Sequence, residues 1–85
     1  MTIGYSKAFL KQAKKLSPEL RNKVQLNIKL FVENPLNPVL RNHTLKGKYK
    51  DYRSIDITGD VRALYLQNDS EVIFDAVGTH SQLYG

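Results

Sequence analysis

Two histidines, His43 and His80, are the side chains of this chain whose ordinary titration range lies closest to neutrality. A single histidine in a basic protein is most often a surface or satisfied core residue. Here neither one falls on an apolar stripe, and they flank one strand-rich segment. His80 and Tyr84 are four residues apart, so a helical turn at the C-terminal end would put them on one face. If the two ends of that segment converge, His43, His80, Asp56, Asp60, Arg62 and Tyr84 could line one concave surface. Such a set suits cleavage of a phosphodiester without a metal. A histidine or carboxylate takes the 2′-hydroxyl proton, and a second group protonates the leaving 5′-oxygen. Arg62, Arg53 or Lys46 could hold the charge that develops on phosphorus.

Charge points to the same class of substrate. Thirteen Lys and Arg against eight Asp and Glu give a net charge of +5 on 85 residues, with an isoelectric point near 9.6. A polyanion gains from such a surface because neutralised phosphates release condensed counterions, although basic residues also serve solubility alone. The excess sits in three clusters: Lys11, Lys14 and Lys15; Lys46, Lys48 and Lys50; and Arg53 with Arg62. Tyr49, Tyr52, Tyr65 and Tyr84 could stack on bases. The period-two pattern assigns Tyr65 to the core instead.

Several chemistries are excluded by what is missing. No Gly-rich phosphate loop, Gly-x-Ser-x-Gly elbow or HExxH pair occurs. With no cysteine there is neither a disulfide framework nor a thiolate metal site. The spacing of the two histidines and the scattered aspartates matches no strong metal-binding pattern, so no metal or other cofactor is expected. No apolar run approaches the roughly 18 residues of a membrane span, and the N-terminus lacks the layout of a secretory signal. A cytoplasmic protein is the expectation.

The elements that must position these residues can be read from periodicity. At this length a chain buries only about 60% of its unfolded surface, so one domain over residues 1–85 with one modest core is expected. Residues 1–5 could form an edge strand or a disordered start. Phe9, Ala13 and Leu16 then recur at helical spacing behind Ser6, a suitable N-cap. Ser17-Pro18 reads as an N-cap followed by proline at the first helical position. The second helix should run to about Asn34, with Leu20, Val24, Ile28 and Phe31 as its stripe and Leu26 and Leu30 as a second row. Residues 35–51 form a connector long enough to suggest a functional role.

From Tyr52 the period changes to two. Strands are predicted over Tyr52–Ile57, Val61–Gln67 and Glu71–Val77, with a three-residue loop at Thr58-Gly59-Asp60 and a two-residue loop at Asn68-Asp69. This register places Ile55, Ile57, Val61, Ala63, Tyr65, Val72, Phe74 and Ala76 on one face. It sets Asp56 and Asp75 opposite Arg62 from either side. The expected architecture is α+β: an N-terminal helical hairpin packed on one face of a small antiparallel sheet.

Four segments carry a resemblance: Asn42-His43-Thr44-Leu45-Lys46-Gly47, Tyr52-Arg53, Asp60-Val61-Arg62-Ala63-Leu64-Tyr65, and Gly78-Thr79-His80-Ser81-Gln82-Leu83-Tyr84-Gly85. In order and over residues 6–85 they resemble the RelE/ParE toxin superfamily, and most of all its YafQ-like branch. The closing Gly-Thr-His-x-x-Leu-aromatic is the most specific of them. The resemblance implies a RelE-like fold and ribosome-dependent, metal-independent cleavage of messenger RNA, with a cognate antitoxin as neutralising partner. By position it makes His80 a general acid or base, assisted by His43 and Asp60. Arg62 would lie near the scissile phosphate, and Tyr84 would be the terminal aromatic. Lys46, Lys48, Lys50, Tyr52, Arg53 and Asp56 would contact RNA. Asp56 stands where that branch often has a histidine, and Val61 where it has a tryptophan. Two other readings stay open: a ParE-like toxin acting on DNA gyrase without cutting, and a member that binds its antitoxin but has lost activity.

Overall fold

The computed structural model describes residues 1–84, and the chain runs β1 (Thr2–Tyr5), α1 (Lys7–Lys14), α2 (Pro18–Glu33), β2 (His43–Thr44), β3 (Arg53–Asp56), β4 (Val61–Asn68), β5 (Glu71–Thr79) and α3 (His80–Tyr84). Both helix starts follow their caps. Ser6 Oγ accepts from the Phe9 N–H at 3.0 Å and Ser17 Oγ from the Leu20 N–H at 3.2 Å. Pro18 occupies the first turn of α2, where its missing N–H costs nothing. The stripes then face inward: Phe9 from α1, and Val24, Ile28 and Phe31 from α2, are buried against Ile55, Ile57, Val61, Ala63, Tyr65, Val72, Phe74 and Val77 of the sheet. Leu30 also packs on this core, whereas Leu26 stays at the surface.

The sheet has five strands in the order β1-β5-β4-β3-β2. Four pair antiparallel, as the period-two segments require. β1 adds in parallel to β5, so the sheet is mixed rather than wholly antiparallel. The helical hairpin makes this possible, because it carries the chain from one edge of the sheet to the other before β2 begins. Thr2 N–H to Ser70 C=O and Ser6 N–H to Phe74 C=O close the two ends of that parallel pair.

The β3–β4 register matches the three-residue loop, with Asp56 opposite Arg62. The β4–β5 register differs in two respects. Asn68 pairs with Glu71, which leaves Asp69 and Ser70 as the turn, and Asp69 takes the left-handed conformation (φ 54°) that aspartate tolerates. A bulge then interrupts the ladder. Tyr65 pairs with Phe74 but Leu64 pairs with Ala76, so Asp75 has no partner on β4. The extra residue puts Val77, not Ala76, into the core. It also sets Gly78, not Asp75, opposite Arg62.

The connector 35–51 is ordered by its own polar groups. Asn42 is its pin: Nδ2 donates to the Pro35 carbonyl (3.0 Å) and to Tyr65 Oη (2.7 Å), while Oδ1 accepts from Arg53 Nε (2.9 Å). Beside it Leu40 is fully buried. This anchoring delivers the next residue, His43, into β2 opposite Ser54. A short 3₁₀ turn over Gly47–Tyr49 follows, entered through Gly47 in the left-handed region (φ 66°).

Candidate active site

The sheet face opposite the hairpin carries Ser54, Asp56, Arg62 and Leu64, by their alternation with the core residues. At its edge lies a cleft of about 350 Å³ lined by His43, Leu45, Lys46, Tyr49, Arg62, His80 and Tyr84. Three separate pieces of chain build it. β2 and the connector contribute His43, Leu45, Lys46 and Tyr49; β4 contributes Arg62; α3 contributes His80 and Tyr84.

His80 and Tyr84 share one face of α3, with ring centroids 4.8 Å apart, as their spacing implied. His80 is exposed at the start of that helix. His43 is exposed as well, and its Nδ1 lies 2.7 Å from the Arg41 carbonyl. A contact of that length means that Nδ1 carries a proton, which leaves Nε2 as the other ring position for proton transfer. The residue supplying the carbonyl, Arg41, is itself held in the left-handed conformation (φ 47°).

Arg62 is positioned by Asp56. Arg62 Nη1 meets Asp56 Oδ1 at 3.2 Å across the β3–β4 ladder. The second oxygen of Asp56 lies 3.7 Å from Arg41 Nε. One carboxylate thus serves two guanidinium groups, and the cluster keeps net positive charge beside the cleft. Tyr84 Oη is buried and meets no hydrogen-bond partner among the described residues. Burial raises its pKa, Arg62 pulls it back, and Tyr49 adds a smaller upward push.

The remaining residues expected at the site are dispersed. Asp60 is in the exposed β3–β4 turn, its N–H donating to Thr58 Oγ1 at 3.2 Å, and it does not line the cleft. Arg53 spends its Nε on Asn42, and Tyr52 donates its hydroxyl to Asp75 at 2.7 Å. Lys48 places its ammonium 5.3 Å from the centroid of the Tyr49 ring. Lys50 follows that turn at the surface. Leu45, which sequence reasoning missed, and Tyr49, named there only as a possible base-stacking ring, also line the cleft. Tyr49 was open to either a stacking or a core role. Its i, i+3 spacing from Tyr52 was the available signal, and the two rings do meet edge-on at 6.0 Å. Among the described residues no three His, Cys, Asp or Glu side chains group as metal ligands.

Comparison with known proteins decides the family. The family model described as the bacterial toxin of a type II toxin–antitoxin system, YafQ, matches residues 1–85. The chain belongs to the YafQ toxin family. The mRNA interferase toxin YafQ of Escherichia coli K12 is 34% identical, with 98% of this chain and 95% of that protein aligned. The crystal structure of YafQ from E. coli BL21(DE3) superposes with a TM-score of 0.85 at 30% identity, covering 98% of this chain and 97% of that one. YafQ in the E. coli DinJ–YafQ toxin–antitoxin complex gives a TM-score of 0.81 at 30% identity, with 98% and 96% coverage. The mixed sheet with its helical hairpin is therefore the YafQ fold.

Proposed function

We propose that this YafQ-family chain is the toxin of a type II toxin–antitoxin pair and acts as a cytoplasmic endoribonuclease. It cuts messenger RNA on the translating ribosome and so stops translation. The observation that carries the reading is the cleft itself, where two exposed histidines from distant segments face a guanidinium and a terminal aromatic ring. An inhibitor acting only by occupying a protein target needs no acid–base pair.

In the proposed reaction the 2′-hydroxyl of the RNA attacks the adjacent phosphorus and the bond to the 5′-oxygen breaks. A 2′,3′-cyclic phosphate and a 5′-hydroxyl result. One of His43 and His80 accepts the 2′ proton and the other returns a proton to the leaving oxygen. Arg62, pre-aligned by Asp56, stabilises the charge on the phosphoryl oxygens, and Lys46 lines the same cleft. Tyr84 stacks on a base. Asp60 assists from the β3–β4 turn. Lys48, Lys50, Tyr52 and Arg53 contribute to the RNA- and ribosome-facing surface. No metal enters these steps. The cognate antitoxin neutralises the toxin by binding it.

Expression of the chain without its antitoxin should arrest growth, with new mRNA 5′ ends appearing inside codons at the ribosomal A site in a translation extract. His80→Ala should lower that cleavage by about 100-fold or more, the range of general acid–base catalysis, and leave antitoxin binding intact. Growth arrest with intact mRNA and inhibited DNA gyrase would overturn the nuclease reading. Full cleavage by His80→Ala would remove His80 from the chemistry.

A further inference from the structure

α3 carries both His80 and Tyr84, yet it has only five residues, far too few to be stable alone. Its local bonds are a reciprocal cap. The Thr79 N–H donates to Gln82 Oε1 (2.8 Å) and the Gln82 N–H to Thr79 Oγ1 (3.2 Å). These tie the first turn to Thr79, the last residue of β5, which pairs with Val61, and leave the far end of α3 to be held by other contacts. Among the described residues the His80 side chain makes no hydrogen bond, and its aromatic neighbour is Tyr84. The end of β5 thus places the His80 backbone, and the Tyr84 ring sets how its imidazole lies.

Tyr84 is met from the opposite wall by Tyr49. The two rings stand edge to face, centroids 5.2 Å apart and planes at 82°. Tyr49 Oη also donates to the Leu83 carbonyl at 3.0 Å, one of the helix-end carbonyls that α3 cannot satisfy internally. Tyr49 is braced in turn. The Tyr52 ring meets its edge, Tyr52 Oη bonds to Asp75, and the Lys48 ammonium covers its face. A line of side chains thus runs from the β5 bulge at Asp75 through Tyr52 and Tyr49 to α3.

We propose that Tyr49 is a positioning residue for the reaction. It holds α3 so that His80 and Tyr84 face the cleft, and it acts through them rather than on the substrate. The proposal rests on the nuclease reading for its activity readout, but not for its spectroscopic one.

The test compares wild type, Tyr49→Phe and Tyr49→Ala by two measurements. The first is single-turnover cleavage of mRNA on programmed ribosomes, as a function of ribosome concentration. The second is the NMR position of the His80 ring proton Hε1. Tyr49→Phe keeps the ring and loses the bond to Leu83, so the saturated rate should fall about three- to tenfold. Tyr49→Ala loses both contacts, and a misplacement of about 1 Å costs on the order of 100-fold. The half-saturating ribosome concentration should move by less than about threefold in either, the pattern of a loss confined to the chemical step. In Tyr49→Ala the His80 Hε1 signal should leave its wild-type position as the Tyr84 ring drifts away. If Tyr49→Ala does not fold, Tyr49→Phe is measured in the same two ways, and the same outcomes decide.

Wild-type rates in the variants would overturn the proposal. So would lost cleavage with the His80 signal unmoved, which would mean that Tyr49 acts on substrate directly. A rise in the half-saturating concentration alone would also overturn it. Should wild type itself cut nothing, the proposed function fails, while the Hε1 position still decides whether Tyr49 fixes His80.

Discussion

The Tyr52 hydroxyl donates to the Asp75 carboxylate at 2.7 Å, tying the entry of β3 to the residue that bulges out of β5. Asp75 has no partner on β4, so its side chain is free to reach across the sheet face. This contact replaces the Asp75–Arg62 pairing expected from an unbulged ladder.

It also predicts how the protein responds to alkali. The Asp75 carboxylate, through the hydrogen bond first and its charge third, and burial between them raise the Tyr52 pKa above its ordinary 10.0. A group whose pKa is raised on folding contributes stability that is fully present below the unfolded pKa. That contribution is lost as pH rises from about 10 through the folded value. Tyr52→Phe should cost about 1 kcal/mol at pH 7, the net value of one such bond. Thermal melts of the two proteins should begin to converge over the interval above about pH 10, the value of the unfolded tyrosine. Curves that stay parallel over that interval would contradict the assignment.

Among the described residues the Tyr84 hydroxyl is hidden from water and meets no partner. Such a group carries a desolvation cost of roughly 1–3 kcal/mol. Tyr84→Phe should therefore raise the melting temperature, by the equivalent of about 1 kcal/mol. Stacking needs only the ring, so cleavage should stay within about threefold of wild type. A drop in cleavage beyond tenfold, with stability raised, would assign the hydroxyl to the chemistry instead.

Much of this arrangement was legible in the chain itself because its signals are local. Ser6 and Ser17-Pro18 announce the two helices through groups that bond within three residues, and the i, i+4 pair His80 and Tyr84 needs only one helical turn. Asp56 and Arg62 follow from one loop length. The bulge at Asp75 was not legible. A polar residue followed by Ala76 fits an uninterrupted outward and inward alternation equally well, and only the demand of Val77 for the core decides otherwise. The parallel docking of β1 depends on the helical hairpin carrying the chain to the far edge of the sheet, from which β2, β3 and β4 lead back to β5, and no local pattern encodes that path. Asn42, Arg53 and Tyr49 are surface-like residues by type, and long-range bonds to Tyr65, Asn42 and Leu83 are what place them. Asp60 sits next to Val61 in sequence, yet it lies in the exposed β3–β4 turn and is not one of the cleft-lining residues.

Asn27 is a buried polar residue on the inner face of α2. Its Nδ2 donates to the Asp56 carbonyl at 2.8 Å and to the Ile57 carbonyl at 3.3 Å, at the end of β3. It therefore sets the helix over the strand that holds Asp56. Asn27→Ala removes both donors and leaves a void, and should cost about 2–3 kcal/mol in urea denaturation. Asn27→Leu fills the void without restoring the donors, and should recover only part of the loss. Full recovery would show that packing, not the two hydrogen bonds, is what Asn27 provides.

Asp56 and Arg62 separate stability from chemistry. Their 3.2 Å contact is only partly shielded, with the Arg62 side chain 25% exposed and that of Asp56 14%. Solvent screening then limits its contribution to folding to about 1 kcal/mol or less. In the proposed reaction the same guanidinium faces a phosphoryl oxygen in the transition state, where it is worth far more because that charge develops only during the reaction. Arg62→Ala should thus lower cleavage on programmed ribosomes by about 100-fold while changing the melting free energy by no more than about 1 kcal/mol. Arg62→Lys keeps the charge but loses the planar fork, and should fall between the two. Asp56→Ala leaves Arg62 charged but unaligned, so its loss of cleavage should be smaller, about tenfold. In the double variant the Asp56 effect should vanish, because there is no guanidinium left to aim. An Asp56→Ala loss that persists in the Arg62→Ala background would mean that Asp56 acts on the RNA itself.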